Sequence, residues 1–388
     1  MSSEGRAPLL PTTSIPREDL DSTPRAARTA SSSSTSRPQA TPRRPSRLQS
    51  ILNTTRDEAR APPSAGSPRL PAQPLSPSYD GLLHNPRWTV RPGKPNLWAR
   101  TRKAYHEELA EFLGTALILI LGAGVECQGR LHFDLAGHDY SAGDYNSGRF
   151  GWAVGVALGV WIAGGVSGAH LNPTVTISLW FFRGFPARRV IPYILAQILG
   201  GFFGSALAYS NYHHSISVRE GSTSSRTVIG PNSTAGLFVT FPQSYLDGDW
   251  LAAAWSEALA SAVLVCAVFA LSDKGGLGVP KGIMPIAMFL TLLGIGSALG
   301  INTGYAINFA RDFGPRLFLS LMGYPSTVFT HNNYWCLWGP GLASIIGGLV
   351  GGGMYDVCVY TGEDSPVNRI GRGQGGEIAL ETEEEEEE

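Results

Sequence analysis

Apolar residues along this chain gather into six runs, Leu109 to Val125, Phe150 to Gly168, Val190 to Tyr209, Trp250 to Ser272, Ile283 to Thr303 and Tyr334 to Asp356. Each approaches the ~20 mostly apolar residues needed to cross a bilayer, so each predicts a transmembrane helix. Between the second and third runs, and again between the fifth and sixth, a shorter pattern recurs: small residues, an Asn, one further residue, then a brief helical stretch. The first copy is Ser167-Gly168-Ala169-His170-Leu171-Asn172-Pro173-Thr174-Val175-Thr176, and the second is Gly304-Tyr305-Ala306-Ile307-Asn308-Phe309-Ala310-Arg311-Asp312-Phe313-Gly314-Pro315-Arg316. From Asn172 to Phe182 a helix reaches roughly 16 Å, about half of a ~30 Å hydrocarbon core. Such a segment dips in and returns, which is tolerated where protein or a water-filled cavity satisfies its backbone. Three runs per half turn the second half upside down, giving an inverted repeat. The expectation is an all-α membrane protein with six transmembrane helices and two re-entrant half-helices meeting N-terminus to N-terminus.

Average composition conceals this layout, since the hydrophobic fraction is 43% and the mean hydropathy is near zero. Many of the 47 glycines fall inside the runs, as Gly155 with Gly159, Gly200 with Gly204 and Gly347 with Gly351. Such small-xxx-small pairs let helix backbones approach closely. Residues 1–85, rich in Ser, Thr, Pro, Arg and Ala, cannot bury enough apolar surface to offset ordering, so a disordered cytoplasmic tail is expected. No apolar segment follows Met1, which argues against a cleaved signal peptide. The membrane-spanning region is bounded at 86–360. Residues 361–388 end in Glu383 to Glu388 and are read as a disordered acidic cytoplasmic tail.

Charge then orients the chain. Arg87, Arg91, Lys94, Arg100, Arg102 and Lys103 crowd the first run, placing that end inside, with Arg183, Arg188, Arg189, Lys274 and Lys281 on the same side. Arg130 with Arg149, and Arg219 with Arg226, fall to outer loops, as does the segment Asn211 to Asp249. This segment carries the sequon Asn232-Ser233-Thr234, so Asn232 is a glycosylation candidate. Arg43-Arg44-Pro45-Ser46 reads as a basophilic kinase site at Ser46, or as a plain solvated basic patch. The four cysteines lack metal-ligand spacing, and no disulfide, metal or cofactor is assigned. Neither nucleic-acid binding nor enzyme chemistry has support, because no nucleophile–base pair or metal cluster stands outside the tails. Arg311 and Asp312 lie at membrane depth, where an exposed charge costs about 2.5–3.5 kcal/mol, so both should face protein or water.

With both Asn motifs in place, and with Glu111 and Glu257 in the first and fourth runs preceding them, the chain from about Arg102 to Tyr360 resembles the aquaporin family. The extension Arg311-Asp312-Phe313-Gly314-Pro315-Arg316, with Asp312 after the Arg, is closest to the aquaglyceroporin branch, and the long tail is similar to fungal-type members. The resemblance implies the hourglass fold, a pore in each monomer and a homotetramer. Plasma membrane is the expected location, with both termini cytoplasmic. It implies that Asn172-Pro173-Thr174 and Asn308-Phe309-Ala310 line the pore, departing from Asn-Pro-Ala at Thr174 and Phe309. It further implies a selectivity filter of Trp152, Gly296, Tyr305 and Arg311, with Gly296 opening one wall to a polyol. Glu111 and Glu257 would bond the re-entrant loops, and His170 would fix its loop by hydrogen bonding. His213, His214 and His331 are read as surface loop residues.

The function expected from this resemblance is a passive channel for glycerol, water and other small neutral solutes that excludes protons and ions. Two alternatives stay open: a coupled secondary transporter, and a membrane scaffold with its pore closed by Phe309. At the residue level, Asn172 and Asn308 could act only as helix caps, and Trp152 and Tyr305 could be interfacial aromatics.

Overall fold

The structure is a computed structural model that describes residues 93–135 and 142–369. These residues fall in one compact unit beginning at Pro92. Ser46, both tails, Arg87 and Arg91 lie outside the described residues. Among the described residues there are ten α-helices and no strand. They are α1 (Leu97–Ala104), α2 (His106–Leu135), α3 (Tyr145–Ala163), α4 (Pro173–Arg183), α5 (Ala187–Glu220), α6 (Trp250–Ser272), α7 (Met284–Leu299), α8 (Phe309–Leu321), α9 (Thr327–Leu337) and α10 (Ser344–Cys358). A π-helical turn, Trp338–Ala343, joins the last two.

Among the described residues, four segments are long and apolar enough to cross a membrane: His106–His132, Ala187–Glu220, Trp250–Ser272 and Thr327–Cys358. Helix α7, with 16 residues, reaches only about 24 Å at 1.5 Å per residue. Several boundaries differ from those expected. Helix α3 stops at Ala163 with Gly164 at its C-cap, and the chain beyond it, through Gly168, Ala169 and Leu171 at positive φ, is loop and not the helix expected up to Gly168. Helix α5 runs on to Glu220 and is stopped by Gly221 at φ 70°, so His213 and His214 are exposed helix residues and not loop residues. The sixth run is broken: His331 is extended and Asn332, Asn333 and Tyr334 are left-handed. A left-handed non-Gly residue costs roughly 1–2 kcal/mol, less for Asn, so the cost falls mainly on Tyr334. The Trp338 indole N–H offsets part of this by donating to the carbonyls of Asn332 and Asn333 at 3.3 and 3.0 Å. His331 sits at this break, its ring against Phe241 with centroids 5.1 Å apart, so it is a packed residue.

Two of the arginines assigned to outer loops are buried. Arg149 lies on α3, and Arg226 donates to the Tyr209 hydroxyl at 2.8 Å and to the carbonyls of Ser222 and Ser225. Long side chains with apolar stems bury when the charged head finds partners, which Arg226 has in Tyr209 and two carbonyls and Arg149 has in Glu126.

The helices pack as two interlocked halves. Helix α5 lies on α2 and α10 lies on α6. At Gly204 an added Cβ would sit 2.8 Å from Ala116 Cα, and at Gly351 it would sit 2.5 Å from Ala262 Cα. These crossings therefore exist only without side chains, and they pair corresponding residues of the two halves. The short helices then cross over: α8 packs on α5 at Gly201, beside Ala310 and Gly314, and α4 packs on α10 at Gly348, beside Thr174 and Ser178. Each half thus supplies the wall against which the other half's short helix rests.

Candidate functional site

Two buried carboxylates organise the loops ahead of the short helices. Glu111 accepts from the backbone N–H of His170 at 2.9 Å and of Leu171 at 2.6 Å, from Ser167 Oγ at 2.5 Å and from Gln197 Nε2 at 2.8 Å. Glu257 accepts from the N–H of Ala306 at 3.0 Å and of Ile307 at 2.8 Å, and from Thr303 Oγ1 at 2.5 Å. Both glutamates are fully buried. The corresponding residues of each loop, Ala169 and Leu171 in one and Tyr305 and Ile307 in the other, take positive φ near 40–55°. That strained backbone persists because charge-assisted bonds from the carboxylate over-determine it.

The loops then deliver the two Asn side chains to one place. Asn172 Oδ1 accepts from Thr174 N at 2.8 Å, and Asn308 Oδ1 accepts from Arg311 N at 3.1 Å, so each oxygen caps its helix. Asn172 Nδ2 donates to the Ile307 carbonyl at 2.8 Å, and Asn308 Nδ2 donates to the Leu171 carbonyl at 2.7 Å. The loops are laced together reciprocally, and because an amide NH2 carries two donors, each Asn retains one N–H. Both Asn residues line a cavity of about 70 Å³ together with Ile118, Val160, Val175, Leu264, Met288 and Leu292. Roughly 10–15 Å³ of such space holds one water, so several fit in file.

Phe309 does not line this cavity. Its ring stacks on Phe313 of the same helix with centroids 4.8 Å apart, and it faces Gly341 of the π-helical turn. The aromatic at the first helical position therefore turns outward, and the Asn-to-loop bonds form on its other side. Thr174 is buried against Gly348, and Ala310 against Gly201, both at helix contacts away from the passage. Pro173 occupies the first turn of α4, where a missing N–H is harmless.

At one end of the cavity Trp152, Tyr305 and Arg311 come together. The Arg311 guanidinium carbon lies 3.9 Å from the Trp152 ring centroid, and its Nη1 donates to the Phe238 carbonyl at 3.1 Å. Gly296 is also here, but it does not open a wall. A Cβ at this position would fall 2.8 Å from Tyr305 Cζ and 2.9 Å from Arg149 Cδ. The expected gap is filled by the phenol, whose buried hydroxyl has no hydrogen-bond partner within the protein. Sequence reasoning missed Arg149 because it read it as an outer-loop charge, and it gave no role to Glu126, to which Arg149 is paired. The cue available was a Glu and an Arg bordering the facing ends of two consecutive apolar runs, Glu126 after Val125 and Arg149 before Phe150.

Asp312 works behind the site. It accepts from Thr240 N at 2.7 Å and Thr240 Oγ1 at 2.8 Å, and pairs with Arg316 Nε at 2.6 Å. Arg316 also donates to the carbonyls of Thr240 and Val328. The loop that supplies Phe238 to Arg311 is thereby tied to α8. His170 Nδ1 lies 3.2 Å from Thr176 Oγ1, and its ring packs against Phe185 and Tyr193. Asn232 is exposed, whereas the sequon Thr234 is buried and hydrogen-bonded to Glu220 and Tyr324. Among the described residues no group of three His, Cys, Asp or Glu side chains is placed to hold a metal ion.

Comparison with known proteins bears on this arrangement. The profile of the family described as Major intrinsic protein matches residues 98–355. An aquaporin from Laccaria bicolor is 41% identical over 315 residues, covering 81% of this chain and 93% of the relative. A probable aquaglyceroporin-2 from Gibberella zeae is 41% identical over 284 residues, covering 73% of this chain and 81% of the relative. Among solved structures, the aquaglyceroporin from Plasmodium falciparum superposes with a TM-score of 0.56 at 29% identity, covering 66% of this chain and 97% of that one.

Proposed function

The chain belongs to the major intrinsic protein family, and from that membership we propose that its pore passes glycerol, water and other small neutral solutes while excluding protons and ions. The family consists of membrane channels and not enzymes, so the chain is an integral multi-pass membrane channel for water and small solutes. In this reading α4 and α8 are re-entrant half-helices within a six-span frame, and the cavity between them is the conduction path.

The observation that carries the reading is the pair of Asn side chains, each with one N–H held by the opposite loop and one left over in a cavity lined mainly by apolar residues. A passing hydroxyl or water accepts from both. Held with its oxygen toward two donors and toward the positive ends of two helices, it is poorly placed to relay a proton. In aquaporin-type pores, selectivity through lining donors, an Arg and half-helix dipoles is already established, and the mechanism is taken over from there. Trp152, Tyr305 and Arg311 supply the outer filter: aromatic walls for the carbon side of a polyol, and a cation that donates hydrogen bonds to its hydroxyl oxygens and repels cations. Gly296 serves by letting Tyr305 lie flat against α7.

The reading extends to a homotetramer in the plasma membrane with cytoplasmic termini, to residues 1–85 and 361–388 as tails flanking a channel domain at 86–360, to modification at Asn232, and to regulation through Ser46. Stopped-flow swelling of proteoliposomes under water, glycerol and urea gradients tests the core of it. Passive glycerol flux that is independent of an imposed proton gradient is expected. Flux that collapses with that gradient would favour a coupled transporter, and absent flux a scaffold.

A further inference from the structure

An ion pair stands behind the aromatic walls. Glu126 lies on α2 and Arg149 on α3, with side chains 16% and 8% exposed. One carboxylate oxygen, Glu126 Oε1, accepts both from Arg149 Nη2 and, at 3.2 Å, from Trp152 Nε1. Gly148 makes room for it, since a Cβ there would sit 3.2 Å from that oxygen. On its other side the Arg149 guanidinium carbon lies 4.9 Å from the Tyr305 ring centroid and 4.3 Å from that of Tyr145, whose hydroxyl donates to the Gly296 carbonyl at 2.9 Å.

Tyr305 has no hydrogen bond of its own hydroxyl to fix it. Its ring is confined by Gly296 and by the stem and head of Arg149. Arg149 is in turn held by a charge-assisted bond to Glu126, and the same oxygen fixes the Trp152 indole. Arg130 approaches Glu126 Oε2 only at 3.9 Å and is 64% exposed, so solvent screens it. One carboxylate thus sits behind both aromatic walls.

We propose that Glu126 is a positioning residue for the filter, holding Trp152 directly and Tyr305 through Arg149 at a fixed separation, and so setting the upper size of solute that passes. This rests on reading Trp152, Tyr305 and Arg311 as the filter. Nothing about Glu126 touches solute.

The test is Glu126→Gln, which keeps an acceptor oxygen and nearly the same volume but removes the charge. Purified wild type and variant are reconstituted at equal density and compared for the ratio of erythritol to glycerol permeability, and both are imaged by cryo-electron microscopy in nanodiscs. Loss of a charge-assisted bond should raise that ratio about fivefold and displace the Tyr305 ring from Gly296. Arg130→Gln, which removes only a solvated contact, should leave the ratio at the wild-type value. If Glu126→Gln fails to fold, Arg149→Met, which retains the stem, is measured in the same way with the same expectation. An unchanged ratio with Tyr305 still on Gly296 overturns the proposal. Should wild type pass neither polyol, the solutes proposed above are wrong, and the ring position in the two maps alone decides the role of Glu126.

Discussion

Asn308 uses its two side-chain functions separately, its oxygen capping α8 and its nitrogen reaching the Leu171 carbonyl and the cavity. A substitution can therefore divide them. Asn308→Asp keeps the capping oxygen, which suits a helix N-terminus, but loses both N–H donors. We expect the variant to stay folded while glycerol flux falls between about 5-fold and 150-fold, the equivalent of an unmet hydrogen bond of ~1–3 kcal/mol. Proteoliposome flux with thermal unfolding as a control checks this, and wild-type flux would leave Asn308 as a cap alone. Gly296 admits an equally small test. Even Gly296→Ala puts a methyl into the Tyr305 phenol, so the ring must move into the passage. The ratio of glycerol to water permeability should fall, where an open wall would have tolerated the methyl without effect.

Among the helices, the close crossings are the vulnerable points. At Gly351 the Ala262 backbone occupies the space a side chain would need, so Gly351→Val forces α10 away from α6. Overpacking of this kind costs typically 1–3 kcal/mol, and more where backbone is the obstacle. A lowered melting temperature in detergent is expected, and α4, which rests on the next residue of α10, should loosen with it. The second element-scale test is Asp312→Ala. It strips Arg316 of its partner in a fully buried position and releases Thr240, and breaking a buried pair from one side costs about 3–5 kcal/mol. Because the loop behind Arg311 is also freed, selectivity against cations should weaken in whatever fraction remains folded, which a cation-leak assay on the same vesicles reads.

For the molecule as a whole, large exposed hydrophobics such as Leu199 on α5, Leu251 on α6 and Leu290 on α7 are surfaces that a bilayer or a neighbouring subunit covers. If the homotetramer proposed from the family resemblance is right, a detergent-solubilised sample should show a mass of four chains by light scattering corrected for detergent, and a monomeric mass would remove the tetramer from the proposal. Deleting residues 1–85 should leave permeability per channel unchanged at equal protein density. A loss would mean that the segment belongs to the pore.

The sequence alone was enough to mark an all-helical chain with several apolar helices, since that depends only on local apolar runs and on where Asn, Gly and Pro interrupt them. The repeat showed that Glu111 and Glu257 precede their Asn motifs in the same order, and the family resemblance added that they bond the loops, as they do here. What it could not decide were distances across the bundle. Whether Phe309 blocks the passage depends on the direction its ring takes, and that was set by Phe313 and the π-helical turn. Whether Gly296 opens a wall depended on a tyrosine and an arginine from other elements, and positive charge counted along a chain could not reveal that Arg149 is folded inward onto Glu126. Periodicity and motif order are local properties of the chain. The width and charge of a pore are made by side chains far apart in sequence, and only packing brings them to the same few ångströms.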